Sequence, residues 1–205
     1  LRWAGEDPGR YIIEDDYDSE FRYKGKPIPA LQGYDSRGQV IYLGTFSKSI
    51  APAIRLSYMV LPEPLLEKYK ERHRFINSTV SKVDQMIVQK FIEEGYYERH
   101  LNKTRALYKS RHDVLIEELK PLLGSCRISG EHAGVHLLLT FPEGKSEQEL
   151  IQAAAEEGIR VYGLSDYQIH PGKEDQATIL LGYANLTEGE IREAAGRLAK
   201  VWRKF

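Results

Sequence analysis

The pattern of apolar and polar positions predicts alternating strands and helices in the first part of the chain. Short apolar runs rich in β-branched residues are typical of buried strands, and they occur at residues 11–13, 40–44 and 54–61. Longer stretches with helical spacing predict helices at residues 64–72, 81–94 and 96–119. The third helix is highly charged, and its leucines recur at roughly helical spacing. This alternation favours an α/β fold with a mainly parallel sheet.

The second part of the chain has a mixed pattern. Apolar runs predict strands at residues 135–141, 159–162 and 177–183. Two capping-box patterns, Ser146 to Glu149 and Thr187 to Glu190, predict the starts of two further helices. The first of these helices runs to about residue 157 and the second to near residue 205. Residues 164–176 are polar and contain Pro171-Gly172, so we interpret them as a loop.

Composition narrows the classes of function. The chain has 205 residues, 29 basic and 30 acidic, with a formal net charge of −1, and no basic stripe for nucleic acid stands out. A single cysteine, Cys126, cannot form an internal disulfide and suits a reducing cytoplasm. No signal peptide or long apolar span is visible, so we expect no membrane insertion. The opening residues 1–4 resemble the end of a helix, which indicates a piece of a longer polypeptide.

The segment Gly44-Thr-Phe-Ser-Lys-Ser49, followed by Arg55, carries the first candidate chemistry. Lys48 follows a predicted strand, where shielding from water would help its amine lose a proton and react with an aldehyde. Thr45 and Ser47 add hydroxyls, and the guanidinium of Arg55 suits a phosphate. The alternative is a surface lysine in a loop, with Arg55 paired to a nearby carboxylate.

A second segment, Tyr11-Ile-Ile-Glu-Asp-Asp-Tyr-Asp18, places carboxylates where a buried strand should end. Ligands of open α/β sheets lie at the carboxyl ends of the strands. A carboxylate such as Asp15 can there pair with a protonated pyridine nitrogen. Tyr17 would share the face of Asp15 if the strand continued. The alternative is a solvated acidic turn, but together with Lys48 the pattern favours a cofactor.

These segments, with Ile54-Arg-Leu-Ser-Tyr-Met-Val-Leu-Pro62, Ala133-Gly-Val-His136 and Leu181-Gly-Tyr-Ala184, resemble the MocR/GabR family of bacterial transcriptional regulators. That family joins a winged helix-turn-helix DNA-binding domain to an effector domain with the fold-type I aminotransferase fold, which binds pyridoxal 5'-phosphate. The resemblance therefore implies an α/β fold, with residues 1–97 from the end of the large domain and residues 98–205 forming the small domain. The DNA-binding domain and the first half of the large domain would lie outside this chain.

The resemblance also implies roles for individual residues. Asp15 would pair with the pyridine nitrogen, Tyr17 would bind the phenolic oxygen, and Lys48 would form the internal aldimine. Ser47 and Arg55 would hold the phosphate, with Thr45 as a further candidate. A glycine-rich helix start and a ring stacked on the cofactor belong to earlier parts of such folds. We therefore expect the chain on its own to bind the cofactor weakly or not at all.

The effector site departs from the family pattern at one position. In the GABA-responsive member an arginine grips the effector carboxylate, and the matching position here is Asn185, whose amide carries no charge. Tyr183 and Asn185 lie where a strand meets a loop and are candidates to face an amine or amino-acid effector. His136 is either a core histidine or part of the effector cavity. The other histidines have no metal-site spacing and receive no ligand role: His73, His100, His112, His132 and His170.

Three functions follow from these patterns. The leading one is a cytoplasmic, homodimeric effector-sensing domain of a MocR/GabR-type regulator, which contacts DNA only through its other domain. The second is a pyridoxal phosphate-dependent aminotransferase, since the same residues serve both. The third is a dimerisation or binding module without cofactor, which the presence of Asp15 and Lys48 disfavours.

Overall fold

A computed structural model describes residues 1–169 and 176–205 and divides them into two compact units. The first unit comprises Leu1–Glu20 and Lys26–Thr104. The second comprises Phe21–Gly25 and Arg105–Phe205. The predicted domain division at residues 97 and 98 stays a prediction.

The first unit is built on a three-stranded sheet in the order β1-β2-β3. Strand β1 (Ile12–Asp16) pairs parallel with β2 (Val40–Thr45), and β2 pairs antiparallel with β3 (Ser57–Val60). The unit also contains three helices and the start of a fourth: α1 (Arg2–Gly5), α2 (Glu63–His73), α3 (Lys82–Glu93) and α4 (Tyr96–Leu119), which continues into the second unit. The predicted strand at residues 54–61 is shorter than expected, because Pro52–Ile54 forms a 3-10 helix ahead of it.

Asp35 organises the loop that leads into β2. Its carboxylate accepts hydrogen bonds from the backbone amides of Arg37, Gln39 and Val40 at 3.0, 2.5 and 2.7 Å. These bonds satisfy amide groups just before the strand ladder begins, and they fix where the ladder starts.

The second unit is built on a four-stranded antiparallel sheet in the order β4-β5-β7-β6. Its strands are β4 (Arg127–Ser129), β5 (His136–Thr140), β6 (Tyr162–Gly163) and β7 (Thr178–Gly182), and its further helices are α5 (Glu147–Glu156) and α6 (Glu188–Trp202). Leu137 and Leu139 of β5 and Ile179 of β7 are fully buried with Trp202 of α6 in one apolar core. The short strand β4 is not among the predicted elements.

The segment Phe21–Gly25 belongs to the second unit although it lies far from the rest of that unit in sequence. Phe21 is fully buried, and its ring centroid lies 5.0 Å from that of Tyr108. The hydroxyl of Tyr23 donates a hydrogen bond of 2.7 Å to the carbonyl of Gly134. The segment is therefore an integral part of this core.

The two predicted capping boxes have different outcomes. At the start of α6, the Thr187 hydroxyl accepts from the amide of Glu190, and the Glu190 carboxylate accepts from the amide of Thr187, which confirms the prediction. At α5 the helix begins where predicted, with Ser146 as its N-cap residue, but the predicted capping box is wrong, because the Ser146 side chain makes no capping hydrogen bond. The nearby Glu147 carboxylate instead accepts from the backbone amides of Ser165 and Thr178.

The predicted loop at residues 164–176 contains a 3-10 helix, Leu164–Tyr167. Pro171-Gly172 and His170 lie outside the described residues. Among the residues that the structure does describe, no helix combines the length and the apolar character needed to cross a membrane.

Candidate functional site

The sheet of the first unit brings three chain segments to one edge. Because β1 and β2 are parallel and β3 is antiparallel to them, the carboxyl ends of the first two strands meet the start of the third. Asp15 is opposite Leu43, and Thr45 is opposite Ser57. Ligands of such sheets bind at this edge.

Within the residues that the structure describes, Asp15 is the one carboxylate of the acidic run at the end of β1 that has no bonding partner. Glu14 accepts hydrogen bonds from the amides of Leu31 and Gln32 at 2.7 and 2.9 Å, and so fixes the 3-10 helix that begins there. Asp16 accepts from the hydroxyl of Tyr42 at 2.7 Å and also from Ser19. Asp15 points to the opposite face by strand alternation and is exposed. Its carboxylate makes no hydrogen bond or ion pair with any residue in the described ranges.

Asp15 lines a cavity of about 500 Å³ together with Thr45, Ser57, Tyr58 and Tyr69. The ring of Tyr58 lies directly over Gly44, where an added Cβ would come within 2.3 Å of the Tyr58 Cζ atom. Gly44 is therefore required for this close approach, and the tyrosine ring forms one side of the cavity. Ser57 and Tyr69 were not among the predicted site residues: Ser57 is two positions after Arg55, while Tyr69 lies on α2 with no motif to mark it.

Thr45 shapes the turn that follows β2. Its hydroxyl donates to the Leu56 carbonyl at 3.3 Å and accepts from the Ser47 amide at 3.2 Å and the Ser57 hydroxyl at 3.3 Å. These bonds tie the turn that carries Lys48 to the start of β3. Thr45 thus positions its neighbours, whichever ligand the site takes.

Lys48 lies in this turn and is exposed. The expectation that its amine is shielded is therefore not met in the described residues. Its Nζ atom makes no hydrogen bond or ion pair with the residues that the structure describes, so it is available to a ligand. Ser47 is half-buried beside it.

Arg55 has a left-handed backbone conformation, with φ 47° and ψ 35°. It is the only non-glycine residue with positive φ among those that the structure describes. Such a conformation costs a residue with a side chain roughly 1–2 kcal/mol, and strained residues of this kind cluster at ligand clamps. The Arg55 side chain is exposed at the same edge of the sheet.

Tyr17 lies directly after strand β1, which ends at Asp16, so the condition for a shared face with Asp15 is not met. The assignment of Tyr17 to the phenolic oxygen stays a prediction. Its side chain is 44% exposed. The Asp18 carboxylate, then burial and then Asp15 raise the pKa of the Tyr17 hydroxyl, which keeps it a hydrogen-bond donor.

The surroundings of this edge are acidic. Burial, with further contributions from Asp16 and Asp18, raises the pKa of Glu20. Burial and the hydrogen bond to Asp16 raise the pKa of Tyr42 well above its ordinary value. An acidic environment favours a cationic group on a bound ligand.

The effector candidates all lie in the second unit. His136 is half-buried in β5 and pairs with Gly182. Tyr183 is almost fully buried, and its hydroxyl donates to the Gly134 carbonyl at 2.8 Å, so it is mainly a core residue. Asn185 is exposed. The guanidinium of Arg111, which the sequence analysis missed, donates to the carbonyl of Ala184 and so adds a cation beside Asn185.

Comparison with known proteins agrees with this architecture. A family model described as aminotransferase class I and II matches residues 11–198. The uncharacterised HTH-type transcriptional regulator YdeL of Bacillus subtilis (strain 168) is 42% identical over 205 residues, which is 99% of this chain and 43% of the regulator. The probable rhizopine catabolism regulatory protein MocR of Rhizobium meliloti is 35% identical over 202 residues, which is 97% of this chain and 40% of that protein.

The fold is also found in solved structures. The crystal structure of Pyrococcus horikoshii kynurenine aminotransferase in complex with PMP matches with a TM-score of 0.87 and 26% identity, covering 99% of this chain and 50% of that one. The predicted aminotransferase-like α/β fold and the resemblance to MocR-type regulators are thus confirmed. The chain spans less than half the length of either regulator. With a family match that extends from β1 into α6, the chain belongs to the aminotransferase class I and II family.

Proposed function

We propose that this chain is the pyridoxal phosphate-binding, effector-sensing part of a MocR-type transcriptional regulator. The observation that carries the proposal is a group of three side chains at one sheet edge, Asp15, Lys48 and Arg55, which make no hydrogen bond or ion pair with the residues that the structure describes. The relatives of the chain include HTH-type regulators. DNA would be bound by a domain outside this chain.

The residues at this edge fit the parts of pyridoxal phosphate. The free carboxylate of Asp15 suits a protonated pyridine nitrogen, and the acidic surroundings strengthen that pairing. The free amine of Lys48 suits the aldehyde, and the guanidinium of Arg55 suits the phosphate. When bound, the cofactor supplies an electron-poor ring that reacts with amines. The PMP of the archaeal aminotransferase is the amine form of the same cofactor and supports this assignment.

Each side chain has a separate task. Arg55 would hold the phosphate through charge-assisted hydrogen bonds. Asp15 would hold a proton on the ring nitrogen by charge pairing, and the Lys48 Nζ atom would act as the nucleophile and as a proton carrier. Tyr17 would donate a hydrogen bond from its hydroxyl to the phenolic oxygen. Ser47 would assist Arg55 at the phosphate.

Signalling requires only that the effector favour one of two conformational states. An effector amine would compete with the Lys48 Nζ atom for one position, and the released ammonium would change the charge at the sheet edge. No turnover is needed for this switch. Since Asn185 has no charge, we infer an amine or amino-acid effector whose carboxylate, if present, is not gripped by residue 185.

An aminotransferase is the second candidate, and the similarity to the kynurenine aminotransferase favours it. In that case Lys48 would also move a proton between cofactor and substrate carbons. Rapid ping-pong turnover of common amino donors by the full-length protein would support this candidate over the regulator. We further propose that the protein acts as a cytoplasmic homodimer, as the fold family implies.

The decisive experiment is an absorption spectrum of the full-length protein titrated with pyridoxal phosphate, followed by borohydride reduction and peptide mass analysis. We expect a visible band and a reduced cofactor label on the peptide that carries Lys48. The Lys48→Ala variant should lose both, whereas Lys103→Ala, which removes an exposed lysine of α4, should lose neither. Absence of the band and of the label in the unmodified protein would reject the proposal and favour a binding module without cofactor.

A further inference from the structure

A second cavity, of about 220 Å³, lies in the second unit between the β6-β7 edge and helix α6. Its walls are apolar, with Leu180 and Leu181 from the sheet and Ile191, Ala195 and Leu198 from the helix. An apolar cavity of about 150 Å³ is enough to bind benzene. This cavity therefore has room for one aromatic ring with a short substituent.

The residues around the opening of this cavity are aromatic and cationic. Tyr162 and Tyr167 both line it and are 39% and 63% exposed. The Arg160 guanidinium carbon lies 5.1 Å from the centroid of the Tyr162 ring. At this distance the cation is attracted to the ring, which favours a position of the Arg160 guanidinium beside the cavity. Arg160 is exposed and makes no ion pair within the described part of the chain.

We propose that this cavity binds a small aromatic monocarboxylate, with the ring among the apolar walls and the carboxylate on Arg160. The apolar walls select a ring over a polar ligand, because they offer a buried polar group no partner. The cation at the opening selects an anion, since an amine of the same shape would be repelled there. The effector candidate Tyr183 lines this cavity, whereas residues 15, 17, 45, 47, 48 and 55 do not, so the site is separate from the residues of the proposed cofactor function.

The test uses the full-length protein without added cofactor and three ligands of one shape: phenylacetate, 2-phenylethanol and 2-phenylethylamine. Binding is measured by ligand-detected NMR and titration calorimetry. We expect saturable binding of phenylacetate, weaker binding of the alcohol and the weakest binding of the amine. No saturable binding of phenylacetate, or an amine that binds as well as the acid, would overturn the proposal.

Two variants locate the site. Ala194→Phe, on the half-buried part of α6 that lines the cavity, should fill the space and abolish binding of both phenylacetate and the alcohol. Arg160→Gln should weaken phenylacetate binding by roughly threefold to tenfold and leave the alcohol unchanged. The control Arg127→Gln, at an exposed arginine of β4 outside the cavity, should change neither.

Circular dichroism checks that each variant is folded, and Arg160→Gln alters only an exposed side chain, so its effect is interpretable even if the filled variant is unstable. Undiminished phenylacetate binding by a folded Ala194→Phe protein would contradict the assignment. Equal losses of acid and alcohol in Arg160→Gln would contradict the role of the cation. A failure of either kind leaves the result of the Lys48 labelling experiment untouched.

Discussion

The left-handed backbone at Arg55 predicts that fold stability and cofactor affinity respond in different ways to substitution. Arg55→Ala and Arg55→Gly both remove the guanidinium, but only glycine adopts φ 47° without a steric cost. The pair therefore separates the effect of the side chain from the effect of the backbone.

The expected magnitudes follow from the two contributions. Alanine at a left-handed position is less stable than glycine by about 1 kcal/mol, even after the greater chain entropy of unfolded glycine is counted. A hydrogen bond between charged groups contributes roughly 1.5–3 kcal/mol, so loss of the guanidinium should weaken pyridoxal phosphate binding about tenfold to a hundredfold. Both variants should show this weaker binding to a similar extent.

The assay is denaturant unfolding of the full-length protein without cofactor, followed by circular dichroism, and a separate spectroscopic titration with pyridoxal phosphate. Arg55→Gly should unfold at a higher denaturant concentration than Arg55→Ala, with an unchanged slope. Arg197→Gln, which disrupts an exposed ion pair with Glu157 in the second unit, serves as a control for the general loss of an arginine. Equal midpoints for the glycine and alanine variants would refute the strain argument. If both variants bound pyridoxal phosphate as tightly as the unmodified protein, the proposed binding of the phosphate by Arg55 would be refuted.

Three further predictions concern residues that hold the site and the second unit in place. Gly44→Ala should cost about 1–2 kcal/mol of unfolding free energy by displacing the Tyr58 ring from its aromatic neighbours; the cost should vanish in a Tyr58→Ala background, and a double-mutant cycle without coupling would contradict this. Burial would raise the pKa of Asp35, but the hydrogen bonds from backbone amides outweigh it and lower the pKa below 3.8. The stabilising effect of the Asp35 carboxylate is therefore present above that pH and is lost as the pH falls through the lowered pKa. The stability difference between the unmodified protein and Asp35→Asn should therefore shrink in acid, and a difference that stays constant from about pH 6 to pH 3 would disprove it. Thr187→Ala should cost about 1 kcal/mol and Ser146→Ala much less, because only the former loses a capping bond; thermal melts that show equal losses would count against the capping assignment.

Local sequence patterns predict an element well where its partners are also local. Thr187 and Glu190 are three residues apart, and the capping box that they predict is present. The same pattern at Ser146 marks the start of α5 correctly, but its capping bond is absent. The neighbouring Glu147 bonds instead to backbone amides 18 and 31 residues away, at Ser165 and Thr178. No short window contains that information.

Some features of the candidate site could likewise be predicted from the sequence, and others could not. The grouping of Asp15 with the Lys48 turn could be expected from the family resemblance of the two segments. The parallel pairing of β1 and β2 could not be read from an alternation of strands and helices, because only the 3-10 helix Leu31–Tyr34 lies between these strands. The strain at Arg55 and the packing of Tyr58 on Gly44 could not be expected either, since both depend on the geometry of neighbouring strands. The exposure of Lys48 likewise depends on which parts of the fold surround it, and a residue pattern does not report that.

The inclusion of Phe21–Gly25 in the second unit has a consequence for the order in which the protein is made. During synthesis this segment leaves the ribosome before its partners, since the Gly134 carbonyl that accepts from the Tyr23 hydroxyl lies 111 residues later. The apolar contact of Phe21 with Tyr108 therefore cannot form until Tyr108 has emerged as well. A polypeptide that began at Arg105 would lack this segment, leave the surface that Phe21 covers open to water, and be prone to aggregation.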